Sequence, residues 1–82
     1  MSLETERILL ESKVNGLKKD LELKKMEGEM FVNQVREELS PYFEFIDMDV
    51  EKAQLAMNNI IRLKSEISII LADIRNLEKK LR

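Results

Sequence analysis

Residues 53–81, AQLAMNNIIRLKSEISIILADIRNLEKKL, decide the fold. Within them Ala53, Ala56, Ile60, Leu63, Ile67, Ile70, Ile74, Leu77 and Leu81 follow one another at alternating steps of three and four. That spacing puts all of them on one face of an α-helix, at the a and d positions of a heptad repeat. Charged residues fill the intervals, among them Lys52, Arg62, Lys64, Glu66, Asp73, Arg75, Glu78 and Lys79. A half-buried strand would alternate with period two, and this segment does not.

The same rhythm runs through the first half in Leu3, Arg7, Leu10, Val14, Leu17, Leu21, Lys24, Gly28, Phe31 and Val35. Arg7, Lys24 and Gly28 depart from the large apolar type. Asn15-Gly16 is a turn dipeptide, and a glycine inside a helix costs about 1 kcal/mol relative to alanine. The phase from Val14 through Leu17 to Leu21 nevertheless passes Gly16 undisturbed, so one helix is expected there. A polar Lys24 on the seam either specifies register or turns its head out to solvent. Met1-Ser2-Leu3 has the form of residues added by expression cloning, and Leu3 carries little weight.

The two patterned halves meet at Ser40-Pro41. Proline lacks the backbone donor and its ring crowds the preceding turn, so a helix seldom runs through it. Serine at an N-cap followed by proline at the first helical position would instead open a helical piece. Asp47 and Asp49 offer a further N-cap for the long second helix, so the tip reads as a turn, a short helical piece and then that helix. The expected architecture is all-α, one domain over residues 1–82. Helix 1 covers about 3–39, a tip about 40–48 and helix 2 about 49–81, folded as an antiparallel coiled-coil hairpin. If the chain reverses at Tyr42, facing residues have numbers summing to about 84 in simple antiparallel geometry. Leu10 would then face Ile74, Val14 Ile70, Leu17 Ile67, Leu21 Leu63, Gly28 Ala56 and Phe31 Ala53.

One seam leaves apolar residues over. Leu9, Leu23, Met26 and Met30 lie off it in the first half, and Leu55, Met57, Ile61, Ile69 and Leu71 in the second. The methionines, Met48 included, read as packing residues, although flexible Met-rich surfaces also bind partners. Apolar surface of this extent marks an interface, and a two-helix hairpin buries little by itself. A homodimer forming a four-helix bundle would cover it, closed two-fold dimers being the commonest oligomers. Helices of another protein would serve as well.

Composition excludes several kinds of chemistry. Net charge is −2, without the basic excess that phosphate neutralisation requires, so no nucleic-acid partner is expected. There is no cysteine and no histidine. Thiolate chemistry is excluded, and the usual neutral-pH base and the Glu-x-x-His metal pairs of helical bundles are absent. No phosphate-cradling glycine loop occurs. Neither an enzyme nor a cofactor is expected. The longest apolar run, Ile69-Ile70-Leu71-Ala72, is far short of a membrane span of about 20 residues. With no signal peptide visible, a cytoplasmic location is expected. The basic end, Arg75, Lys79, Lys80 and Arg82, suits a helix C-terminus and lies opposite Glu4 and Glu6 in the hairpin.

The tip is the most distinctive stretch. Glu37, Glu38, Glu44, Asp47, Asp49 and Glu51 fall in it with no basic residue among them. Asp47-Met48-Asp49-Val50-Glu51-Lys52 begins like a calcium loop. It has Lys52 where that loop needs glycine and Asn58 where it needs glutamate. A solvated acidic run at a helix start is the expected reading. Tyr42, Phe43 and Phe45 either plug the end of the bundle or, with Asp47 and Asp49, form a docking patch, aromatics being enriched where interfaces bind most strongly. In hairpin length and in Asp47, Asp49 and Glu51 the chain looks similar to bacterial transcript-cleavage factors. These insert an acidic hairpin tip into RNA polymerase, and the resemblance implies a regulator acting on such an enzyme. Small secreted helical hairpins and secretion-needle subunits are similar in length, and the latter turn at a proline-containing loop as at Ser40-Pro41. The leading expectation is a non-enzymatic structural or interaction protein that self-associates and docks an unidentified protein partner.

Overall fold

The computed structural model describes residues 3–82; Met1 and Ser2, read above with Leu3 as residues added by cloning, lie outside the described residues. Helix α1 runs Leu3–Glu38 and helix α2 runs Val50–Leu81, antiparallel, with a single 3-10 turn at Phe45–Asp47 between them. The protein is an all-α helical hairpin measuring 65 × 16 × 15 Å.

Local chemistry supports each helix. Glu4 and Glu6 open α1 and Arg36 closes it; Glu51 opens α2 and Lys79 and Lys80 close it. These placements complement the helix dipoles. Arg7 bonds Glu11 at 3.3 Å and Arg62 bonds Glu66 at 3.1 Å, one turn apart on the surface. Asp49 caps α2, its Oδ1 accepting from the Lys52 backbone N–H at 3.0 Å. Ser40-Pro41 does not start a helix as expected. It begins a turn, in which the Phe43 N–H donates to the Ser40 carbonyl at 3.0 Å and the Tyr42 N–H donates to Ser40 Oγ at 3.3 Å. Asp49 is the residue that supplies an oxygen to the free N–H groups of a helix.

The seam is where the heptads place it. Val14, Leu21, Ala53, Ala56, Leu63, Ile70 and Ile74 are buried. Leu10, Leu17, Gly28, Phe31, Ile60 and Ile67 are half-buried. Val14, Leu21, Ile70 and Ile74 form one cluster, flanked by Leu17, Ile67, Leu77 and Leu81.

The register differs from the expected one by a full heptad. A Cβ built on Gly28 would meet Leu63 Cδ1 at 4.0 Å, so Gly28 faces Leu63 and not Ala56. Cross-helix ion pairs agree: Lys24 with Glu66 at 3.5 Å, Glu38 with Lys52 at 3.2 Å, Glu27 with Arg62 at 3.7 Å. Facing numbers sum to about 91, as expected when the a and d layers of antiparallel helices alternate across a seam reversing at Phe45–Ile46. The connection is longer than a turn at Pro41 would make it, occupying residues 39–49. Phe31 therefore lies level with Ile60, and Val35 with Ala56. Small does not meet small: Leu63, 1% exposed, packs across the seam from Gly28. Large-against-small alternation of this kind brings the helices together without voids.

Candidate interaction surfaces

In an antiparallel pair the e positions of both helices share one side of the hairpin and the g positions share the other. Grooves along the molecule show this division. Lys13, Asp73 and Lys80, all g residues, line one groove together with Gly16 and Asn76. Glu11, Lys18 and Glu78, all e residues, line a second on the opposite side, and Lys25, Val32 and Lys64 line its continuation.

The apolar residues left over by the seam fall on both sides. Leu9, Leu23, Met30, Leu55 and Ile69 occupy c positions, next to the g side. Met57 and Leu71 are e residues, and Ile61 is at the adjoining b position. Met26 is at f, on the outer edge of α1. All are exposed, from 42% for Leu71 to 71% for Met30. Met26 apart, they form two apolar stripes on opposite sides of the hairpin and not one continuous face.

Charges tie the middle of the hairpin together. Lys24 neither sits unpaired on the seam nor escapes to solvent. Its ammonium reaches Glu66, with the two side chains 24% and 36% exposed. Arg62 bonds both oxygens of Glu66 at 3.1 Å, reaches Glu27 at 3.7 Å and touches Asn59 Oδ1 at 3.4 Å. Near the tip, Glu38 at a d position pairs with Lys52. Of this network only Lys24 was singled out from sequence. Glu66, at the g position beside the layer where Lys24 meets Ile67, was the available signal, but it points to Lys24 only once the register is known.

The tip aromatics are not packed over the end of the hairpin. Tyr42 is 95% exposed and Phe45 83%, with Phe43 and Ile46 also exposed. Only Phe31, three turns down, packs partly into the seam. The reason is the reach of the connection. The aromatics belong to the turn at Ser40 and the 3-10 turn, where the Asp47 N–H donates to the Glu44 carbonyl at 2.9 Å, and neither helix covers them. Asp49 is occupied as a cap and Glu38 as an ion-pair partner, whereas Asp47, Glu44, Glu37 and Glu51 face solvent. Among the described residues no three acidic, histidine or cysteine groups are placed to hold a metal ion. No helix among them is long and apolar enough to cross a membrane.

No protein family, curated protein or solved structure matches this chain.

Proposed function

We propose that the protein is a non-enzymatic interaction module of the cytoplasm, which associates with copies of itself along the sides of the hairpin and offers its tip to a protein partner. The observation that carries this is the exposure of Leu23, Met30, Ile61 and Ile69, each more than half uncovered on a hairpin only two helices thick. Apolar area of that extent is stabilised by leaving water. Two copies side by side make a four-helix assembly, the smallest that covers a stripe on each. Light scattering over a concentration series tests it: the expected mass is that of two or more chains, and a single-chain mass at every concentration overturns the reading.

A second reading draws on the tip. Exposed Tyr42 and Phe45 beside Asp47 and Glu44 suit a regulator that acts on an enzyme such as RNA polymerase. Transcription assays with and without the protein check it. If Asp47→Asn with Glu44→Gln behaves as the original chain does, the tip carboxylates have no such role.

A further inference from the structure

The two sides of the hairpin carry opposite charge, height for height. On the g side, Lys13 and Lys80 line the same groove near the open end. By the observed register Asp20 then lies level with Asp73, and Glu27 with Glu66, both of which contact Arg62. On the e side, Glu11 and Glu78 line one groove near the open end together with Lys18, and Arg75, at the adjoining b position, lies about level with Lys18. Lys25 and Lys64 come next in the same direction. From the open end toward the tip the g side therefore reads basic, then acidic, then a pair of glutamates already bonded by Arg62 and Lys24, and the e side reads acidic, basic, basic at the same heights. Within the hairpin these are like charges set side by side, which destabilises a pair of helices and is the usual means by which e and g residues select a different partner. Lys18 reaches Glu78 at 4.0 Å, Lys25 pairs with Glu22 and Arg62 bridges Glu27 and Glu66. Among the described residues Lys13, Asp20, Lys64, Asp73, Arg75 and Lys80 take part in no ion pair within the chain.

The apolar stripes match at the same heights. Leu23 and Ile69 on the g side lie about level with Leu71 on the e side, Met30 with Ile61, and Leu55 with Met57.

We propose that the side-chain pattern selects a second copy of the chain lying beside the first in the same direction, tips together, with the e side of one against the g side of the next. This rests on the self-association proposed above and specifies its geometry. The basic and acidic bands nearer the open end, Lys13 with Lys80 and Asp20 with Asp73, then meet bands of opposite sign, and each apolar stripe meets another. The contact joins unlike surfaces, so it leaves a free e side at one edge and a free g side at the other. Such an assembly repeats until it closes as a ring or extends as a row.

Two charge-reversed chains test it. Asp20→Lys with Asp73→Lys makes both sides basic at that height; Lys18→Asp with Arg75→Asp makes both acidic. Each chain alone is expected to scatter as a monomer, and an equimolar mixture to regain the mass of the original assembly. Helical content by circular dichroism confirms that each remains folded. Independently, since the chain has no cysteine, Lys18→Cys and Asp20→Cys chains with a short thiol cross-linker are expected to join when mixed and not alone. Failure of the mixture to assemble, or self-linking by either single cysteine in preference to the mixed pair, overturns the unlike-sides geometry while leaving self-association standing. A monomeric original chain overturns both.

Discussion

Leu63 is the largest fully enclosed side chain among the described residues, and it lies across the seam from Gly28. Leu63→Ala opposite Gly28 would leave a gap that the glycine has no side chain to fill. Truncations of this kind cost about 2–5 kcal/mol, a large share of what a hairpin this size holds, so urea titration of Leu63→Ala should show a sharply lowered midpoint or a chain already unfolded. Asp49 acts through one hydrogen bond to the Lys52 N–H. Asp49→Ala should cost about 1 kcal/mol, read as a smaller shift of the same midpoint. At the tip the expected result is the reverse. Tyr42→Ser with Phe45→Ser removes two aromatics that touch little of the fold, and such surface changes stay within about 0.5 kcal/mol. A loss above 1 kcal/mol in thermal melts would mean that the rings pack against the fold after all.

For each helix, the sequence reveals which face is buried but not what that face meets. Alternating steps of three and four identify Val14, Leu21, Leu63, Ile70 and Ile74 as inward, because burial depends only on position around the axis. Sliding one helix by seven residues returns every a and d residue to the seam, so the pattern is silent on register. What distinguishes the two registers is local: Gly28 beside Leu63, Lys24 beside Glu66, Glu38 beside Lys52. The tip was equally hard to read, since Ser40-Pro41 suits a turn as well as a helix start, and only the geometry shows Asp49 in the capping role. Both glycines of α1 have ordinary helical backbone. A Cβ on Gly16 would meet nothing within 4 Å, and one on Gly28 would make only ordinary contact. Gly16→Ala should therefore raise stability by about 1 kcal/mol, seen as a higher thermal midpoint at unchanged helical content.

On the scale of the whole molecule, the hairpin has no interior beyond its single seam, and most of its identity lies in the patterning of two outer sides. The apolar surplus was legible as residues. Its division into two opposed stripes was not, because that requires knowing which heptad positions of α1 and α2 share a side. An assembly held by bands of exposed charge is weakened by salt, as the screening length falls from about 10 Å at 0.1 M to about 3 Å at 1 M. The scattering mass should accordingly shrink as sodium chloride is raised through that range, whereas a purely apolar contact would hold or tighten. The seam itself is graded. Near the tip it is built from Ala53 and Ala56, and toward the open end from Ile70, Ile74 and Leu77. In kinetic terms this grading sets an order of events. An unfolded chain that first joins Glu38 to Lys52 closes a loop about a quarter as long as one that first joins Leu17 to Ile74. Each doubling of a flexible loop adds about 0.6 kcal/mol of closure entropy, so the tip closes soonest. Small side chains and one ion pair suffice there, and the bulky layers then zip in succession, each delivered to its partner by the one before it.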